Sequence, residues 1–183
     1  MRAIAYVFAG VVAICGAVVF GIIVYQKANY PYGRRPCAMR CTEQALFNYA
    51  YDHDGWFPNS EKGPHDALQK LYPGYLPRGD ELAGVSGNIN EVIETLARGQ
   101  SLTSELCSWH YVRGLRTNDH PSLALLWESR SGVFGNGRRC PNGSRPVLLL
   151  NANITNVAEK DWPEFLKEQE SLRRMLERQA DLR

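Results

Sequence analysis

The spacing of hydrophobic positions changes twice along the chain. From Ala3 to Tyr25 they are almost continuous, 23 residues without a charge. At about 1.5 Å per residue, a helix of that length reaches roughly 35 Å, enough to cross the hydrocarbon core of a bilayer. Tyr6 and Tyr25 stand near its ends, where aromatic rings favour the membrane interface. Asn29 to Pro36 carries two prolines and a glycine, which breaks the helix. From Cys37 the apolar positions Ala38, Cys41, Ala45, Leu46, Tyr49 and Ala50 recur on one face of a second, amphipathic helix. Asp54-Gly55 ends that helix, and Trp56-Phe57-Pro58 reads as an extended, buried exit.

Further on, Asp66 to Leu76 predicts a short helix stopped by Pro73-Gly74, and Asn90 to Arg98 another, after the glycine-rich loop 79–87. From Cys107 the spacing turns to strands. Trp109 to Leu115 alternates, and Ser122 to Glu128 reads as a core strand, although a short apolar run also fits a helix. Residues 132–146 are dense in turn formers. Val147 to Leu150 and Ile154 to Val157 predict a hairpin around Asn151-Ala152-Asn153, with Ala152 an unusual residue for a turn that asks for positive φ. Asp161 with Glu164 has capping-box spacing for a last helix, in which Trp162, Phe165, Leu166 and Leu172 pack inward.

These elements predict an α+β chain: an N-terminal transmembrane helix, then an amphipathic helix packed on a small antiparallel sheet, then a C-terminal helix. The expected divisions are an anchor over 1–28, a linker over 29–36, one domain over 37–167 and a charged helical tail over 168–183 that frays into solvent. The roughly 155 residues outside the apolar run suffice for one real core. A net charge of +2 and the absence of Lys/Arg blocks with interleaved aromatics argue against a nucleic-acid partner.

The apolar run reads as a retained anchor. A cleaved signal would be shorter, and the exit Tyr25-Gln26-Lys27-Ala28-Asn29 makes a poor cleavage site. The side of the membrane is read two ways. Arg2 before the run and Lys27, Arg34 and Arg35 after it lean towards a cytoplasmic domain under the positive-inside rule. The four cysteines outside the run, Cys37, Cys41, Cys107 and Cys140, lean towards an oxidising compartment. Cys107 with Cys140 is the expected bridge. Cys37 and Cys41, one helical turn apart, reach each other only with strain.

No catalytic, cofactor or metal residue is assigned. Asp52-His53-Asp54 groups two carboxylates with an imidazole, yet successive helical positions point about 100° apart, so a solvated helix end is the simpler reading. His65, His110 and His120 are scattered, and no nucleophile motif accompanies the serines. Trp109, Trp127 and Trp162 could form a glycan platform, but their apolar neighbours make them core residues first.

The order Cys41, Leu46, Ala50, Tyr51, Asp54-Gly55, Phe57-Pro58 resembles the start of the soluble part of bacterial type II secretion and type IV pilus pseudopilins. The resemblance is to the prepilin-type group with a C-terminal Asp-Gly-His hairpin. Residues 67–76, ending Leu71-Tyr72-Pro73-Gly74-Tyr75-Leu76, residues 107–115 and residues 147–157 follow in that group's order, so the similarity spans most of 37–167. It implies a pilin-like fold outside the cytoplasm, single-pass in the bacterial inner membrane, with a structural or assembly role in the cell envelope and other envelope or pseudopilin-like proteins as partners. The lipid bilayer is met through residues 3–25, and the aromatic residues Tyr30, Tyr32 and Trp56 are the expected anchors for a partner. Here Asn151-Ala152-Asn153 stands for Asp-Gly-His, which implies that any ligand site of that signature is lost. The start Met1-Arg2-Ala3-Ile4-Ala5-Tyr6-Val7 lacks the leader and the glutamate that filament subunits use, so neither processing nor filament incorporation is expected. The competing expectations are a glycan-binding module on an anchor and, less simply, a hydrolase around Asp52, His53 and Asp54.

Overall fold

The structure is a computed structural model and describes residues 2–35, 38–140 and 142–181. It is α+β. The helices are α1 (Arg2–Asn29), α2 (Ala38–Asp52), α3 (Pro64–Gln69), α4 (Ile89–Ala97) and α5 (Trp162–Asp181). The strands β1 (Trp109–Tyr111), β2 (Ala124–Glu128), β3 (Arg145–Leu149) and β4 (Ile154–Val157) form one antiparallel sheet in sequence order.

Within α1, Gly10–Asn29 has a mean hydropathy of 2.0 and none of it is buried, so this helix is long and apolar enough to cross a membrane. It ends where Tyr30 and Pro31 were expected to break it. The amphipathic α2 buries Ala38, Met39, Thr42, Ala45, Leu46 and Ala50 in the core, close to the expected stripe. The Thr42 hydroxyl donates back to Ala38 O at 2.7 Å, which explains how a polar residue sits on that face. Beyond α2, Asp54 and Gly55 adopt φ of 53° and 83° and turn the chain into Phe57. A Cβ on Gly55 would also stand 2.8 Å from Thr117 Oγ1. Phe57 is buried as expected. Trp56 is not: 45% of it is exposed.

β2 decides the layering, because all five of its residues are buried. This settles the short apolar run as a strand covered on both faces. On one face Trp109, Tyr111 and Glu128 meet the chain that surrounds α2: Tyr111 donates to Pro58 O at 2.7 Å and Trp109 Nε1 to Glu81 O at 2.8 Å. On the other face Trp127 pairs with Val147 across β3 and meets the Trp162 ring of α5 at 6.0 Å. The β3–β4 turn is made as expected, with Ala152 at φ 62°, a strained value for alanine held by Leu149 N–H to Asn153 O at 2.9 Å.

Four expectations need correction. The helix expected over 66–76 begins at Pro64 and stops at Gln69, since residues 70–75 close into tight turns. The strand expected to reach Leu115 stops at Tyr111, because the loop after it leaves to meet the α2 corner. The segment beyond 168 is not a fraying tail as far as it is described: α5 runs on to Asp181, and Gln169 and Leu172 are buried. Gln169 fills a peptide's role there. Its Oε1 accepts the Ala124 N–H at 2.7 Å and its Nε2 donates to Ser122 O at 3.0 Å. Leu166, expected to pack inward, is 41% exposed.

Candidate docking groove

An open groove of about 560 Å³ lies between the α2 corner, the loop 114–121 and the later turns of α5. Trp56 stands on one wall, Leu172, Met175 and Leu176 on another, and Arg116, Asn118, Asp119 and His120 along the rim. The loop holds itself. Asp119 Oδ2 accepts the Arg116 N–H at 2.7 Å, the Asp119 N–H returns to Arg116 O at 3.1 Å, and Thr117 N–H reaches Gly55 O at 2.9 Å. The Arg116 guanidinium lies 4.5 Å from the centre of the Trp56 ring and donates to Asp54 O at 3.0 Å, while its Nε is buried with no partner among the described residues. A cation over an indole face fixes both groups without neutralising the cation. The groove therefore offers a half-exposed aromatic face, a thioether that is 47% exposed, and a polar rim.

The sequence pointed to Trp56 as a contact residue, and it lies here. Arg116, Asn118, Asp119, His120 and Met175 were missed. Nothing in the run Thr117-Asn118-Asp119 marks a surface. The tryptophans considered for a glycan platform lie elsewhere. Trp109, Trp127 and Trp162 are 1%, 5% and 9% exposed and belong to the core. Tyr30 and Tyr32, also expected as contact residues, lie beside the end of α1 under Arg34 and Arg130, with ring distances of 5.3 and 5.5 Å.

Asp52, His53 and Asp54 do not converge. Asp52 accepts the Tyr75 hydroxyl at 2.9 Å, His53 Nδ1 meets Tyr49 O at 2.7 Å with its ring stacked on Tyr49, and Asp54 forms the turn. No group of His, Cys, Asp or Glu able to hold a metal occurs among the described residues.

One buried acid stands out. Glu128 is fully buried at the end of β2, where Oε2 accepts Val85 N–H at 2.8 Å and the Ser108 hydroxyl at 3.0 Å, and Oε1 accepts the Ser86 hydroxyl at 2.8 Å. Burial raises its pKa above the ordinary carboxylate value, and these hydrogen bonds only partly offset that. Arg35 closes the same loop from outside, donating to Gly87 O at 2.9 Å and Val85 O at 3.3 Å. The arrangement pins the loop 84–87 between the sheet and the segment that leaves the apolar helix. The Glu128 carboxylate is wholly shielded from solvent, and the arrangement reads as structural.

The expected Cys107–Cys140 bridge is absent: both thiols are free and buried. Cys107 sits in the core just before β1, where burial pushes its pKa up to about 12. Cys140 closes the turn-rich loop through its N–H to Gly132 O at 2.7 Å. The two belong to separate packing units. Cys41 is not a free thiol, and Cys37, its suggested strained partner, lies outside the described residues.

Comparison with known proteins returned no match to a family model, to a curated protein or to a solved structure.

Proposed function

We propose that this chain is a single-pass, membrane-anchored structural or assembly protein of the bacterial cell envelope, pseudopilin-like in its soluble part, which works by contact and not by catalysis. The observation that carries this reading is the joint between the apolar helix and the domain. α1 keeps every described side chain from Gly10 to Tyr25 exposed, yet its last carbonyls, at Ala28 and Asn29, are held by Arg139 of the domain. An apolar helix left bare along its length and fastened at one end suits an anchor that presents a domain at a fixed attitude to the bilayer. The motif order over 37–167 and the α+β layering support the pseudopilin likeness. The groove at Trp56 and Met175 supplies the contact surface, with an aromatic anchor and a polar rim of the kind that hot spots use.

The two criteria for sidedness still pull apart. Cys41, which is not a free thiol, supports a periplasmic domain. Free Cys107 and Cys140 remove part of that support, and the basic residues after α1 oppose it. A reporter fused after Arg183 reads the side directly.

A second reading, an extracytoplasmic ligand or glycan-binding module, draws on the same groove. Trp56 with Arg116, Asn118, Asp119 and His120 combines an aromatic face with hydrogen-bonding groups, as sugar sites do. Photocrosslinking from position 56 or 175 in intact membranes separates the two. Discrete protein adducts, absent from a control at exposed Glu94, support the assembly reading. No protein adduct, together with binding on a glycan array, supports the second.

A further inference from the structure

The charges near the end of α1 are unbalanced. Residues 26–35 contain Lys27, Arg34 and Arg35, and residues 129–140 contain Arg130, Arg138 and Arg139, with no Asp or Glu in either stretch. The fold brings these two stretches together. Arg139 N–H donates to Asn29 O at 2.6 Å and its Nε to Ala28 O at 3.1 Å, while Arg35 N–H donates to Asn136 O at 2.9 Å. Arg130 reaches across to the Tyr32 hydroxyl at 3.0 Å. A Cβ on Gly137 would collide with Gly33 O, which is how closely the two backbones approach.

The nearby acids are already engaged. Glu128 is buried on Val85, Ser86 and Ser108; Asp80, which attracts Arg35, pairs with Arg78 at 2.8 Å; and Glu159, beside Gly143, pairs with Arg145 at 3.2 Å. Lys27, Arg34, Arg130, Arg138 and Arg139 are exposed, and none of them forms a salt bridge among the described residues. Tyr25, Tyr30 and Tyr32 lie in the same stretch. Tyrosine mixed with basic residues is the composition that settles at a bilayer interface.

We propose that Lys27, Arg34, Arg130, Arg138 and Arg139 form a basic collar around the end of α1 that binds anionic phospholipid headgroups of the leaflet beside it. The proposal rests on the reading of α1 as a membrane anchor. The collar differs from an ordinary juxtamembrane basic run because three of its five residues come from a loop about 100 residues away in sequence, folded back onto the helix end. Headgroup binding would therefore set the tilt of the whole domain on the membrane. It need not add to the retention that α1 provides.

The test uses the full chain reconstituted in phosphatidylcholine vesicles with a trace of spin-labelled phosphatidylglycerol or spin-labelled phosphatidylcholine. The motionally restricted fraction of each label is read by electron spin resonance. Each basic residue near an anionic surface is worth about five-fold. The intact chain should then prefer phosphatidylglycerol at least about five-fold, and the triple variant K27Q, R34Q and R138Q, which leaves Arg130 and Arg139, should lower that preference several-fold. Those three side chains make no hydrogen bond to the rest of the fold among the described residues. If the variant does not fold, raising NaCl to about 0.5 M with the intact chain must lower the preference instead. Equal restriction of the two labels by the intact, inserted chain overturns the collar and leaves the anchor standing. Release of the chain from the vesicles by alkaline carbonate overturns the anchor and the collar with it. Displacement of the labelled lipid by inorganic phosphate, beyond the effect of chloride at equal ionic strength, would assign the collar to free phosphate and overturn the lipid proposal.

Discussion

The Nε of Arg139 donates to the carbonyl of Ala28 at 3.1 Å, so a residue from the 132–144 loop caps the end of the apolar helix. Helix carbonyls in the last turn have no partner within the helix, and a guanidinium there satisfies one of them and complements the negative end of the dipole. The neighbouring Asn29 carbonyl is taken by the Arg139 backbone N–H. Sequence distance hides this joint, since nothing in Arg138-Arg139 indicates which carbonyl it will meet.

Arg139→Ala should loosen the joint while leaving the core intact. The side chain is exposed, so the loss is about 1 kcal/mol, which corresponds to roughly five-fold more frequent opening. Trypsin cleavage after Arg34 in the detergent-solubilised chain should accelerate by about that factor. An unchanged cleavage rate would show that the backbone bond alone holds the helix end.

Gln169→Ala should destabilise the domain by about 2 kcal/mol, because it strands the buried Ala124 N–H and Ser122 carbonyl and leaves a cavity. Lys167→Ala, on the exposed side of α5, should stay within about 0.5 kcal/mol. Urea unfolding followed by tryptophan fluorescence compares the two. Equal midpoints would mean that the helix beyond 168 contributes nothing to the fold.

Glu128 makes stability fall as pH rises. Its pKa is raised in the folded state, so between its ordinary value of 4.5 and the raised value the folded chain binds more protons than the unfolded one. Unfolding free energy then decreases with pH across that window. Glu128→Gln keeps an acceptor for Val85 and Ser108 and should flatten that part of the profile. Glu128→Ala orphans the Val85 N–H and the Ser86 hydroxyl, while Ser108 can still donate to Ala83 O, and should cost about 3 kcal/mol. A profile for Glu128→Gln that still falls with the same slope would assign the dependence to another group.

Cys107 should resist iodoacetamide in the native protein and react once the chain is unfolded, without any reductant, since its thiol is free, buried and held neutral by a pKa of about 12. Peptide mass mapping reads this directly. A requirement for reductant before alkylation would restore the bridge to Cys140.

Much of the fold was legible from spacing alone. α2 follows its apolar stripe, α4 (Ile89–Ala97) lies within one residue of the helix expected over Asn90 to Arg98, and the β3–β4 hairpin falls where two strand runs flank three turn residues. What spacing could not supply was pairing over long distance. The bulge between Ala124 and Leu126, the Gln169 clamp and the Glu128 cluster each join residues 20 or more apart, or interrupt a regular alternation, and depend on which surfaces meet. The groove was legible only at Trp56. Its other wall is made by α5 turns that looked like a charged tail, because Leu172, Met175 and Leu176 are diluted there among Glu and Arg.

The account turns on α1 as a retained anchor joined to the domain. Membranes from cells producing the full chain, washed with alkaline carbonate and analysed by intact mass, test it most directly. The expected result is the chain in the carbonate-resistant pellet with residues 1–29 still attached. A shortened chain lacking α1, or the full chain released into the supernatant, would contradict it.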